Sequence, residues 1–431
     1  MSFPTEFPLN GIDHFLHQLD RILFQSSGKR NVCSFVVDLK GHLTAAFLNE
    51  QLCSHPTYRW ITAFRLKPGR FFALARWRID PSADYPRIYE HQISEFSATK
   101  EPPDSLLNPP INPERESPFR IDVITTATDR TLIIFSWHHA LMDAHGAETF
   151  IQHLCSSEST EETAWVKNIK PRREQSLRDR LKMVRGMKVY LYDTSRLPFL
   201  SLFQPKPISP TLHHRVLRFN GVETQQIAET ARQQGAGFLL SAFYLSATAR
   251  AIAHIQSQRG PLQGDVLVPV PQDRRKRGAH ESLVGNHVTF IFYRIPQAAL
   301  NCIKECTMEL VQQTTKLMRS EAPEGYLVMI GLIQRLPGWL YRPLLKSPTR
   351  GLMASFFYSD TGDSLGEFKT FLNKTITNAI HYPPNAYPPG VTFIFTRFQG
   401  ALQITISYME EVLDNEEIEL LVQHLQSDLF S

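Results

Sequence analysis

Residues 134–146 read Ile-Phe-Ser-Trp-His-His-Ala-Leu-Met-Asp-Ala-His-Gly, and the decisive part is His138-His139-Ala140-Leu141-Met142-Asp143. The run Thr131 to Trp137 has strand character and delivers two adjacent histidines to its end. An acid follows four residues after the second, and Ala147 to Leu154 then has helical character. An imidazole at a strand exit is held by rigid backbone on one side and can face a cleft on the other. With an ordinary pKa near neutrality, such a ring suits a general base. Asp143 sits in the following turn, where it can cap the next helix or anchor the turn to a distant part of the chain. A second pair, His213-His214, also opens an apolar run, but the residue four beyond His214 is Arg218. That pair reads as ordinary strand.

Working outward, 431 residues exceed one ordinary core and fit two units of about 200 residues each. Hydrophobic residues make up 42% and charged residues 20%, values of a globular chain rather than a disordered one. The net charge of +4 is small for this length and gives no reason to expect nucleic acid. The five cysteines, Cys33, Cys53, Cys155, Cys302 and Cys306, are scattered, and no set completes a zinc site. A reduced, cytoplasmic protein without a bound metal is the expectation. The N-terminus lacks the basic-then-apolar order of a signal peptide, and no segment reaches the length of a membrane span. The apolar stretch 326–345 stops at Gln334-Arg335 and resumes. It reads as an interfacial patch, compatible with peripheral contact at the inner face of a membrane.

The first half alternates signals. Cys33 to Leu39 reads as strand and Leu43 to Ser54 as helix, with strands near Trp60–Leu66 and Phe71–Trp77. After the Pro/Asn loop 106–113, a hairpin of Phe119–Thr126 and Thr131–Trp137 leads into the motif. Residues 156–210 break the pattern: a polar run, a basic stretch Lys167 to Lys188, then Pro205, Pro207 and Pro210. This divides the chain into 1–165, a basic Pro-containing linker 166–210, and 211–431. The linker reads as a solvated face or as a surface for anionic head groups. In the second half come strand 213–219, helices 222–234 and 237–256, and strand 265–270 exiting into Asp273-Arg274-Arg275-Lys276-Arg277. Strand 288–295, long helices 298–319 and 325–345, a closing hairpin 390–408 and helix 415–429 follow.

The His138–Asp143 pattern resembles the HHxxxDG motif of the chloramphenicol-acetyltransferase-like superfamily, which includes condensation domains, wax ester synthase/diacylglycerol acyltransferases and plant BAHD acyltransferases. Leu9-Asn10-Gly11-Ile12-Asp13 looks like the leading PLSxxD segment of the wax ester synthase branch. Val268-Pro269-Val270 through Arg274 resembles its arginine-bearing strand end. Leu283-Val284-Gly285-Asn286 looks like its PLGN element, and Ser359 with Asp360 stands where that branch has a SNxG strand end. The BAHD signature DFGWG is absent, and Ala144 replaces the usual glycine after the aspartate. The resemblance implies an α/β fold of two chloramphenicol-acetyltransferase-like subdomains, each a mixed sheet flanked by helices, with a tunnel between them. It further implies that Asp143 pairs structurally with Arg274, Arg275 being one residue away, because a guanidinium binds a carboxylate bidentately and cannot act as a base.

On this reading His139 is the general base, His138 packs and orients, and Asn286, Gly285 and Ser359 contact substrate. No G-x-S-x-G elbow and no cysteine beside a histidine appears, so direct transfer in a ternary complex is favoured over an acyl-enzyme. The leading expectation is a CoA-dependent acyltransferase acting on a lipid or long-chain alcohol, with acyl-CoA as co-substrate and no resident cofactor. One alternative is a freestanding condensation-type enzyme that takes its acyl group from a separate acyl-carrier protein and forms an amide or ester. Another, from a different class, is a catalytically silent binding relative.

Overall fold

Strand Arg130–His138 is buried from Thr131 to its end, an apolar run that needs cover on both faces and a partner on both edges. A computed structural model shows how the chain supplies them; it describes residues 3–69, 72–83, 88–93, 101–125, 129–155, 176–204, 210–275, 283–346 and 349–431. The strand lies inside a six-stranded sheet, ordered Thr370–Phe371, Lys374–Tyr382, Val32–Lys40, Arg130–His138, Phe119–Thr125, Tyr89–Gln92. All its ladders are antiparallel except that of Tyr89–Gln92 with Phe119–Thr125. Helices Gly11–Ser27 and Ala144–Leu154 and a small sheet of Glu6–Pro8, Arg76–Ile79 and Phe64–Lys67 complete this lobe. Phe35, Phe119, Phe135, Trp137 and Phe150 lie in its core.

A second lobe has its own core, around Phe243, Ile252, Val268, Phe393, Ile404 and Leu425. Its four-stranded sheet runs Phe357–Asp363, Val391–Phe398, Ala401–Met409, Leu212–Arg218. The antiparallel pair Val266–Asp273 and Val288–Ile295 adjoins it, with Ser355 N–H donating to the Leu267 carbonyl at 2.8 Å. The architecture is therefore mixed α/β in two lobes, as expected.

Three expectations need correction. The boundary at 211 does not cut the lobes cleanly, because Lys374–Tyr382 crosses to the first lobe and pairs with Val32–Lys40, from Ile376 opposite Leu39 to Tyr382 opposite Ser34. Val32–Lys40 is buried on both faces, so its free edge requires that partner. Within the linker, Leu177–Ser195 is a helix of 19 residues, capped by Ser176, packed against helix Ala322–Ile333; residues 166–175 and 205–209 lie outside the described residues. Finally, the helix expected over 325–345 is two, Ala322–Ile333 and Gly338–Lys346, since Pro337 lacks an N–H and disfavours helical backbone at Leu336.

Smaller differences concern ends. Residues 60–62 belong to helix Pro56–Thr62, begun by Pro56 in the first turn, and the strand starts only at Phe64. The next strand is Arg76–Ile79, and Phe71 lies outside the described residues. His213 and His214 are strand residues, as read, and both rings meet Asp104, at 3.1 and 2.8 Å.

Candidate active site

The motif strand ends at His138, and the chain turns at once. His139 N–H donates to the Asn31 carbonyl at 2.9 Å, Leu141 N–H to the His138 carbonyl at 2.8 Å, and the Trp137 indole to the Met142 carbonyl at 2.9 Å. Asp143 then caps helix Ala144–Leu154, its Oδ1 accepting from Gly146 N–H at 2.9 Å. A side chain at Gly146 would place its Cβ 2.6 Å from the Leu283 carbonyl oxygen, so the second-lobe backbone can approach only a glycine there. The change to Ala144 costs nothing visible, for the glycine this turn needs is Gly146.

Asp143 is where the lobes are joined. Arg275 grips it with two bonds, Nη1 to Oδ2 at 3.0 Å and Nη2 to Oδ1 at 2.9 Å, and His287 N–H adds a third at 2.8 Å. Burial alone would push the carboxyl up, but Arg275 and the His287 amide outweigh it and hold the pKa down at about 2. The partner is thus Arg275, not the expected Arg274. Neighbouring residues of an extended chain point to opposite sides. Arg274 accordingly turns the other way, to Glu324 at 2.7 Å on helix Ala322–Ile333.

Asn286 also departs from expectation. Its side-chain amide donates to Asp13 Oδ1 at 2.9 Å and to the His139 carbonyl at 2.8 Å, so both amide hydrogens are engaged. It therefore holds the backbone of His139 and has no hydrogen left for a substrate oxygen. Asp13 accepts as well from Asn286 N–H at 2.8 Å and from Asn10 N–H at 3.0 Å. Burial pushes its carboxyl up to about 7 against those bonds. Gly285 has φ +94° and donates its N–H to the Leu141 carbonyl at 2.7 Å, a backbone strut that asks for left-handed glycine geometry. Ser359 is half-buried in strand Phe357–Asp363 opposite Ile394, and the contacts described around His139 do not include it. Its neighbour Asp360 has its carboxyl pushed up by burial and accepts from Gly362 N–H at 3.1 Å.

His138 is wholly buried. Its Nδ1 accepts from Ala140 N–H at 3.3 Å, and Nε2 stands 3.5 Å from Asp20 Oδ1. Asp20 is fixed in turn by Asn31 N–H at 2.8 Å and Arg30 at 2.9 Å. Burial opposes its ionisation, yet His138, the Asn31 amide and Arg30 bring it down to about 2. Sequence reading missed this support. Helix Gly11–Ser27 buries Asp13, His14, His17 and Asp20 along with Leu16, Leu19, Ile22 and Leu23. Its signal was an Asn10–Asp13 capping box opening a helix with acids at apolar-face spacing. Ligand atoms of His17, Asp20 and His138 fall within 4.8 Å of one another. Cations already stand against them: Arg30 on Asp20, and Arg21 at 3.4 Å from His17 Nε2.

The His139 ring is half-buried at this seam, with Nδ1 on the inner side. Burial lowers its pKa and outweighs the pull of its own carbonyl, of Asp143 and of the Met142 carbonyl. A neutral ring results, on backbone pinned by Asn31 and Asn286 and followed by a turn locked through Arg275.

No protein-family model matches the chain, and no curated protein matches it at a significant level. Solved structures do. The trichothecene 15-O-acetyltransferase TRI3 from Fusarium sporotrichioides superposes with a TM-score of 0.72 at 12% identity, covering 99% of this chain and 95% of that one. The first condensation domain of the CDA synthetase gives 0.64 at 15% identity over 99% and 96%. The condensation domain of the Monacolin K polyketide synthase MokA gives 0.62 at 13% over 100% and 98%. At such identities the likeness establishes the fold alone: this chain shares the two-lobed α/β architecture of these structures.

Proposed function

We propose that this chain is an acyltransferase that works by direct transfer, with His139 as its base. The observation that carries this reading is the neutral, half-buried imidazole at the meeting of two lobes, its backbone held on two sides, by Asn31 and Asn286. With a proton on the inner nitrogen, Nε2 is free to accept one from an acceptor hydroxyl. The hydroxyl oxygen attacks a thioester carbonyl as its proton passes to Nε2, and a tetrahedral intermediate forms. Collapse breaks the carbon–sulfur bond, and the departing thiolate recovers the proton from the imidazolium. His138, held by Asp20, sets the strand end, and Asp143 with Arg275 fixes the turn that aims His139. In this reading acyl-CoA is the donor, a lipid or long-chain alcohol the acceptor, and the substrates meet in a channel between the lobes. The oxyanion donor is a group other than Asn286.

A second reading takes the donor as a thioester on a separate carrier protein; the shared fold with two condensation domains favours it. The experiment is the same for both. Purified protein is given acyl-CoA or acyl-carrier thioester with hydroxyl and amine acceptors, and free thiol and product mass are followed. Turnover with acyl-CoA supports the first, turnover only with the carrier thioester the second. His139→Ala is expected to lose at least roughly 10²-fold in rate, the scale of a positioned base. Equal rates in wild type and variant would leave a binding protein without acyl-transfer chemistry.

A further inference from the structure

Residues 325–359 contain no aspartate or glutamate and four basic residues, Arg335, Arg342, Lys346 and Arg350. Within this acid-free stretch lies helix Gly338–Lys346, whose apolar face is turned outward. Tyr341 is fully buried, its ring edge-on to His14 with centroids 4.9 Å apart, and this fixes the orientation. Trp339, Leu340 and Leu344 are then 68%, 39% and 50% exposed, and Pro343 is exposed between them. Positions 339, 340, 343 and 344 form one stripe on a helix. Beside it runs an open groove of about 670 Å³ lined by Trp339, Arg342, Lys346, Arg350 and, from helix Gly11–Ser27, Gln25. Single exposed apolar residues need no explanation, but an aromatic and two leucines in one stripe do.

We propose that this face docks on an anionic phospholipid bilayer. Trp339, Leu340 and Leu344 enter the boundary between head groups and acyl chains, and Arg342, Lys346 and Arg350 meet lipid phosphates. A basic rim around tryptophan and leucine is the composition of helices that lie in a membrane interface. A second copy of this chain fits poorly, because a twofold contact would bring two acid-free basic faces together. The proposal stands independently of acyl transfer. It has a spatial link to the site nonetheless: Gln25 also borders a cavity of about 200 Å³ reaching His17 and Asp20, which flank His138.

The test is co-sedimentation of the full chain with phosphatidylcholine vesicles and with vesicles containing phosphatidylserine as well. Binding is expected only to the second, weakening as salt rises. Both Trp339→Ala with Leu344→Ala and Lys346→Glu with Arg350→Glu should lose about tenfold in affinity, with melting temperatures unchanged because the side chains are exposed. Tyr192→Ala, on the linker helix and 73% exposed, should bind like wild type. The proposal is overturned if wild type ignores both vesicles, if the Gly338–Lys346 variants bind normally, or if Tyr192→Ala accounts for the loss. It is equally overturned if light scattering shows a dimer that Trp339→Ala with Leu344→Ala dissociates and no vesicle binding is seen.

Discussion

His139 can take a proton only while its ring is neutral, and its surroundings extend the pH range in which that holds. Burial disfavours the imidazolium, so the folded-state pKa lies below the ordinary 6.5. The acid limb of a kcat/KM profile should therefore have its midpoint below pH 6.5, and a midpoint above it would show a ring stabilised in its charged form. A second expectation separates two adjacent arginines. Removing Arg275 leaves Asp143 buried and unpaired, a loss of about 3–5 kcal/mol for a broken buried pair. Removing Arg274 releases a bond to Glu324 at the lobe's flank, so Arg274→Ala should melt well above Arg275→Ala. The histidine pair and its aspartate were legible in the sequence because strand, turn and cap are all local. Which arginine answers Asp143 was not, since the choice depends on side-chain parity at the exit of a strand that runs to Asp273, three residues beyond the 270 its pattern suggests. Asn286 stood out in the sequence, but its contacts did not, because its partners Asp13 and His139 come from two other segments.

The element that ties this together is the turn between motif strand and motif helix, and its lock is ionic. Asp143 has an ordinary pKa of 3.8 and a folded value of about 2. A depressed carboxyl stabilises the fold above its unfolded pKa, and that contribution fades as pH falls through the folded one. The difference amounts to about 2 kcal/mol, lost between about pH 4 and 2. Thermal melts across that window should fall more steeply for wild type than for Asp143→Asn; parallel slopes would mean that the lock adds nothing. Periodicity located most helices and strands here, from Val32–Lys40 to Asn415–Phe430. It failed where proline intervened at 337, and at Gly11–Ser27, whose buried acids and histidines disguise an inward face.

At the scale of the molecule, a strand's destination is not written in its own residues. Nothing within Lys374–Tyr382 says where it pairs, and only the unmet edge of Val32–Lys40 explains why it leaves its lobe. A fragment of residues 1–204 should consequently unfold without a sharp transition and recover one when co-expressed with 205–431. A sharp melt of the fragment alone would show that its sheet closes unaided. The same crossing has a mechanical result. Counted by the sheets of the described residues, the backbone passes between the lobes three times, between Leu154 and Leu212, before Thr370 and after Tyr382. A body stitched at three places cannot gape like a clamshell without tearing a ladder, so under the proposed function reactants would have to thread their way in past yielding side chains. On that reading little free energy would be lost to shutting the enclosure before each turnover.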